Sequence, residues 1–235
     1  MQKEPVSIIF TTSIILHNLT MEIDVPKSTD PDSIIITYMT LRKIVGLLAI
    51  SLIPIMIFGS FIFDHTRYIQ ISVSAYYHTS MRDPLVGIIS GISLFLLSYN
   101  GYTRHDSIAS KLAGLFALGI AFIPTSKTSD KSDLLSTVHY LTSGVFFAIL
   151  AYMSIFLFTK SSGIMTPEKK KRNRVYRVSG IVMAISVIGI PIDSIPAVHD
   201  LTGFLKPTII LETIALVSFG ISWLTKGQFI LKDRL

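Results

Sequence analysis

The run IVGLLAISLIPIMIFGSFIF, from Ile44 to Phe63, decides the reading of this chain. It holds no Asp, Glu, Lys or Arg, and its apolar residues fall on every face of a helix, a pattern that suits lipid or a deep interior. At 1.5 Å per residue about 20 such residues cross a hydrocarbon layer of ~30 Å. Working outward, Pro84 to Thr103 and Leu134 to Thr159 are also free of acids and bases. Leu112 to Ser126 reaches a spanning length if it starts near Ser107 with Lys111 snorkelling, and Val178 to Ile192 does so by borrowing Val175 to Arg177. Pro207 to Thr225 contains a single charge, Glu212. The expectation is an all-α polytopic bundle with six transmembrane helices, at about 44–63, 84–103, 107–124, 136–158, 175–192 and 207–225.

Composition agrees. The 235 residues are 50% hydrophobic and only 15% charged, with a mean hydropathy of +0.58, whereas soluble domains carry roughly 25% charged residues. The absence of Cys excludes disulfide frameworks, Cys-ligated metals and thiol nucleophiles. No phosphate-binding Gly loop, His-Glu-xx-His or Gly-x-Ser-x-Gly element is present. Residues 1–38 are richer in acids than bases and have no long apolar block, so they read as a flexible N-terminal extension, or as sequence ahead of a functional chain starting near Met39. The six-helix domain then occupies 39–235.

Bases concentrate before the first span, between the second and third, between the fourth and fifth, and in the tail. The positive-inside rule therefore places both termini in the cytoplasm. Helix starts are marked by Asp83-Pro84, Asp106-Ser107 and Thr166-Pro167. Pro54 marks a kink in the first span. Small residues four apart, at Ala109/Ala113/Ala117/Ala121, Gly87/Gly91 and Gly144/Ala148, offer smooth faces for helix packing or for a dimer.

This topology sorts the polar residues by side. His65, His78, His139 and His199 fall at the outer face, with Asp64, Asp83, Asp130, Asp133, Asp193 and Asp200. His105 lies inside, and His17 in the extension. Glu212 is the only acid inside a span, about one turn below the outer boundary, and His139 has similar depth. An ionisable group in hydrocarbon must be paired, solvated or neutralised, and so points to function. His78, His139 and Glu212 are the expected metal ligands, for a divalent ion such as zinc, or acid–base groups, with Asp83 beside them. Arg82 with Asp83 also suits a headgroup anchor and helix cap, and His139-Tyr140 an interfacial pair. Lys169, Lys170, Lys171, Arg172, Arg174 and Arg177 form a basic run expected to anchor topology and contact anionic lipid headgroups. Nucleic acid is not an expected partner, because Tyr176 alone supplies a stacking ring there.

The blocks Ser-Ala-Tyr-Tyr-His-Thr at 74–79, Arg82-Asp83, Val86-Gly87, Tyr99-Asn-Gly-Tyr102, His139-Tyr140, Arg174-Val-Tyr-Arg177 and Phe219-Gly-Ile-Ser-Trp-Leu-Thr-Lys-Gly227 resemble a bacterial family of six-helix membrane proteins without an assigned activity. That resemblance implies an inner-membrane location and six spans. Ser74 and His78, four apart, also resemble the Ser-xxx-His element of the alkaline ceramidase and adiponectin-receptor-like hydrolases, in which His and Asp hold a zinc ion. Their seven helices and His-xxx-His pair have no counterpart here. Three functions fit the sequence: a membrane hydrolase or transferase acting on a lipid or amphiphile, a small proton-coupled transporter using Glu212, or a non-catalytic scaffold or pH sensor.

Overall fold

A computed structural model of the chain describes residues 31–65, 68–126, 134–161 and 163–232. The chain divides into two units at Thr37, and the second, Thr37–Leu235, holds the helical bundle. His17, Asp130 and Asp133 lie outside the described residues. Every regular element among the described residues is helical. The helices are α1 (Pro31–Phe63), α2 (Arg82–Ser98), α3 (Arg104–Phe122), α4 (Leu134–Tyr152), α5 (Pro167–Asp193), α6 (Pro196–Thr202) and α7 (Pro207–Lys226). A 3₁₀ turn, Ser74–His78, precedes α2.

Among the described residues four stretches are long and apolar enough to cross a membrane: Tyr38–Phe63, Leu134–Leu157, Pro167–Asp193 and Pro207–Lys226. The expected six are thus corrected to four. The α2 helix stops at Ser98 after 17 residues, about 26 Å of rise, because Asn100 and Gly101 turn the chain. The α3 helix has 19 residues but begins Arg-His-Asp and carries Lys111, so its uninterrupted apolar part, 112–122, is too short to cross. These two helices form a hairpin packed on its own backbone. The Ser93 hydroxyl donates to the Gly114 carbonyl and Ser110 to that of Leu96, both at 2.7 Å.

The other helices show why lipid suits them. Val45, Ala49, Leu52, Met56 and Ser60 form a buried stripe on α1, while Leu47, Phe58, Ile62 and Phe63 turn outward. On α5, Ile181, Ile185 and Ile188 are exposed in the same way. Inside and outside are equally apolar, which a water-facing helix does not tolerate.

Two of the expected caps move. Arg82 rather than Pro84 opens α2, with Asp83 in its first turn. The α3 helix is capped by Thr103, whose hydroxyl accepts from the Asp106 N–H while the Asp106 carboxylate accepts from the Thr103 N–H, a reciprocal capping box. Thr166 caps α5 as the sequence suggests.

The small-residue faces separate. Ala109, Ala113, Ala117 and Ala121 are all buried. Gly87 and Gly144 have open space where a Cβ would stand, and Gly91 has only an ordinary contact, so those two pairs do not mediate close packing. Helices α1 and α7 do approach closely, at glycines outside those pairs. A Cβ on Gly46 would lie 2.8 Å from the Gly220 carbonyl oxygen, and one on Gly220 would lie 2.7 Å from that of Gly46.

The end of α4 is irregular. Met153–Leu157 forms a π turn, closed by the Phe158 N–H donating to the Met153 carbonyl at 2.9 Å. Ser154 lies within it, and its hydroxyl reaches the Tyr176 carbonyl of α5 at 2.8 Å and the Ser222 hydroxyl of α7 at 2.7 Å.

Candidate functional site

The residues between α1 and α2 form a strap over the start of α7. The Lys206 ammonium donates to the Ile69 carbonyl at 2.6 Å, and the Ile209 N–H to that of Ile71 at 3.1 Å. The Val73 N–H then donates to Glu212 Oε2 at 2.5 Å. Residues 69, 71 and 73 are the ones engaged, and the chain bends at 71–73 to bring them there. The Ile209 bond supplies what the bare start of a helix lacks, since the first N–H groups of α7 have no partner within it. Lys206 is left-handed (φ 53°), which lets the chain turn sharply into Pro207.

Beneath the strap lies a cavity of about 70 Å³, enough for several waters or a short hydrocarbon segment. Its wall is largely aliphatic and aromatic, with Leu52, Ile89, Phe146 and Phe219 among the contributors, and its polar groups include Glu212, His139, Ser143 and Ser74. With Oε2 committed to Val73, Oε1 is the acceptor that Glu212 retains among the described residues. Tyr77 joins the wall and is held from outside by Arg82, whose guanidinium lies 4.9 Å from its ring and donates to its hydroxyl at 3.2 Å.

Both histidines at this end fasten the segment after α3. His139 Nδ1 lies 2.6 Å from the Ile123 carbonyl and His78 Nε2 lies 2.6 Å from that of Thr125. A carbonyl only accepts, so each of these nitrogens carries a proton. The remaining acceptor of a neutral ring is then Nε2 in His139 and Nδ1 in His78. Ser136 completes the fastening by accepting from the Ser126 N–H at 2.7 Å.

Of the four expected catalytic residues, two share the cavity wall: His139 and Glu212. His78 is not among its lining residues, because its ring is turned to Thr125. Asp83 is exposed in the first turn of α2, where a carboxylate complements the helix dipole. Among the described residues no three His, Asp or Glu side chains are grouped to hold a metal ion. The expected ligand set His78, His139 and Glu212 is therefore not assembled, and no step is derived through zinc. Two other outer-face acids, Asp64 and Asp193, serve structure. Asp64 accepts from the Ser80 hydroxyl at 2.6 Å, the Ser80 N–H at 3.0 Å and the Ser60 hydroxyl at 3.0 Å. The Ser80 hydroxyl bond leads in holding its carboxyl below the usual range. Asp193 is buried and accepts from Thr202 and Thr208, with His199 at 3.6 Å.

The basic run also divides. Lys170, Lys171, Arg174 and Arg177 are exposed. Arg172 is buried and donates to the Leu231 carbonyl at 3.0 Å, while Lys169 donates to the Phe158 carbonyl at 2.9 Å over the Tyr176 ring. The six are thus divided between exposed positions and the bundle side of α5, where Lys169 and Arg172 stand three apart. Sequence reading missed Ser143 and Tyr77 as wall residues. Ser143 stands one turn after His139, so helical spacing was an available signal.

Comparison with protein-family models, with curated proteins and with solved structures finds no match to this chain.

Proposed function

We propose that this is a multi-pass protein of the bacterial inner membrane, with both termini cytoplasmic, that acts as a hydrolase or transferase on a lipid or amphiphile. Membership of the six-helix bacterial family that its sequence blocks resemble belongs to the same reading. The observation that carries the function is Glu212, a carboxylate in the wall of a largely apolar cavity beside His139. An alkyl chain would lie along Ile89, Phe146 and Phe219. Its polar linkage would meet Oε1 of Glu212, which takes the proton of the attacking water or hydroxyl as general base and returns it to the leaving oxygen or nitrogen as the acyl bond breaks, while His139 Nε2 orients that nucleophile by accepting a hydrogen bond from it. The apolar wall keeps bulk water from the pair. Orientation rests on the basic residues gathered where α1 begins and α5 starts.

The test is mass spectrometry of lipid co-purified with the wild-type chain, followed by release of headgroup from acyl-ester and acyl-amide probes in vesicles. Wild type should carry an amphiphile and turn over one probe class. Glu212→Gln should retain the amphiphile and lose at least about a hundredfold in rate. Turnover equal to wild type in Glu212→Gln would refute the catalytic role.

One observation favours a second reading, a proton-coupled carrier. Glu212 is bonded to the strap through Val73, so protonation would weaken a charge-assisted bond and free the strap above the cavity. That reading gains if probes are not turned over but a proton gradient drives amphiphile flux that Glu212→Gln abolishes.

A further inference from the structure

At the opposite end of the bundle, where α7 ends beside Arg42 of α1, buried cations outnumber buried acids among the described residues. Arg42 is 8% exposed; its guanidinium lies 4.5 Å from the Tyr38 ring centre and 5.5 Å from that of Tyr99, its Nη1 donates to the Met39 sulfur at 3.4 Å, and its Nε has no hydrogen-bond partner among the described residues. Lys226 is 7% exposed, with its ammonium 4.8 Å from Tyr102 and 4.9 Å from Phe158. Arg42, Lys169 and Arg172 are all within electrostatic reach of the Lys226 ammonium. The nearby carboxylate, Asp106, is already committed to Lys160 at 2.6 Å. Ring faces attract cations, yet they do not cancel the repulsion between several of them, and a buried charge left unpaired is costly. An anion among these groups would relieve both costs.

We infer that this end of the molecule is a binding site for a phosphate-type oxyanion, held between Arg42 of α1 and Lys226 of α7. It is separate from the cavity and does not depend on the function proposed for it. Arg42 would offer Nε with a neighbouring guanidinium nitrogen, the fork that fits two oxygens of one phosphate, and Lys226 a point charge opposite. The phosphate belongs either to a lipid headgroup or to a free ion, both presenting the same oxygens. The gap beside Lys226 is narrower than a water molecule, so the rings of Tyr99 and Tyr102 must part when the anion enters.

That movement has a built-in reporter. The only tryptophan of the chain, Trp223, sits 5.2 Å from the Tyr99 ring and 5.3 Å from that of Phe158. The full chain is placed in phosphatidylcholine nanodiscs at constant ionic strength. Its emission is followed against inorganic phosphate, and separately against increasing phosphatidylglycerol in the disc. A saturable change is expected. Its midpoint should rise at least about tenfold in Arg42→Gln and in Lys226→Gln, the loss of one charge-assisted contact. Arg42→Lys, which keeps the charge, guards against misfolding and should fall between wild type and Arg42→Gln. Lys170→Gln/Lys171→Gln, on the outward-facing part of the basic run, should match wild type. A response to phosphatidylglycerol alone assigns the site to a headgroup, and a response to phosphate assigns it to the free ion. No saturable response to either, or a response lost in Lys170→Gln/Lys171→Gln but kept in Arg42→Gln and Lys226→Gln, overturns the inference.

Discussion

Replacing Gly46 by Ala tests the packing of α1 on α7. The added Cβ would stand 2.7 Å from Leu224 Cγ and 2.8 Å from the Gly220 carbonyl oxygen. Carbon contacts are comfortable at about 3.5–4.0 Å, so the helices must part by something near 1 Å. Leu224 has rotamers with which to yield; a backbone oxygen has none. Overpacking of this kind costs about 1–3 kcal/mol, against a gain of up to about 1 kcal/mol from replacing glycine within a helix. With the full gain subtracted, the expected net loss is about 0–2 kcal/mol. Gly144 has nothing within 4 Å of its would-be Cβ, so Gly144→Ala should be neutral or gain up to about 1 kcal/mol. Reversible unfolding in mixed micelles, followed by Trp223 emission and helical circular dichroism, measures both. Gly46→Ala/Gly220→Ala should lose less than the sum of its single changes, because the two methyls open the same gap. If Gly46→Ala proves as stable as Gly144→Ala, the close approach of α1 and α7 is refuted.

Three more outcomes are expected. Asp64 has its carboxyl held low by Ser80, so its contribution is complete above the ordinary carboxylate range and is lost as pH falls through its lower folded value; unfolding midpoints measured from about pH 6 down to about pH 2 should show a decline that Asp64→Asn flattens. His139→Phe fills the volume but strands the Ile123 carbonyl, a loss of about 1–3 kcal/mol by the same micelle assay, and an unchanged midpoint would refute the fastening role of the ring. Ser154→Ala and Ser222→Ala should each lose about 0.6–1.7 kcal/mol, with the double change below their sum in a mutant cycle, since the two hydroxyls share one bond at 2.7 Å.

Some of this arrangement is legible in the sequence. Charge-free runs announce helices fit for lipid, because each mid-bilayer charge is penalised and so is scarce. Counting residues from the nearest boundary puts Glu212 and His139 at one depth, and both line the cavity. Depth does not give direction. His78 shares their end of the bundle, but its ring follows a local rotamer to Thr125, which no spacing rule encodes. Small residues likewise show a smooth face without saying what meets it. Ala113 and Ala117 are packed over completely, Gly144 faces open space, and the decisive Gly46 and Gly220 come from helices far apart in sequence, neither in a four-residue pair. Arg42 and Lys226 look like ordinary helix-end bases, since burial behind tyrosines is a product of the tertiary fold.

The π turn at Met153–Leu157 acts on α4 as a phase joint. One additional residue in a turn rotates everything beyond it by roughly 100° relative to an unbroken helix. The face that meets the cavity at His139, Ser143 and Phe146 is therefore set in one register, and the face that meets α5 and α7 at Ser154 and Leu157 in another. A chain that lost a single residue here could keep either set of inward side chains but not both. The two ends of the molecule are thus free to diversify separately, with gain or loss of a residue at this joint as the step that uncouples them.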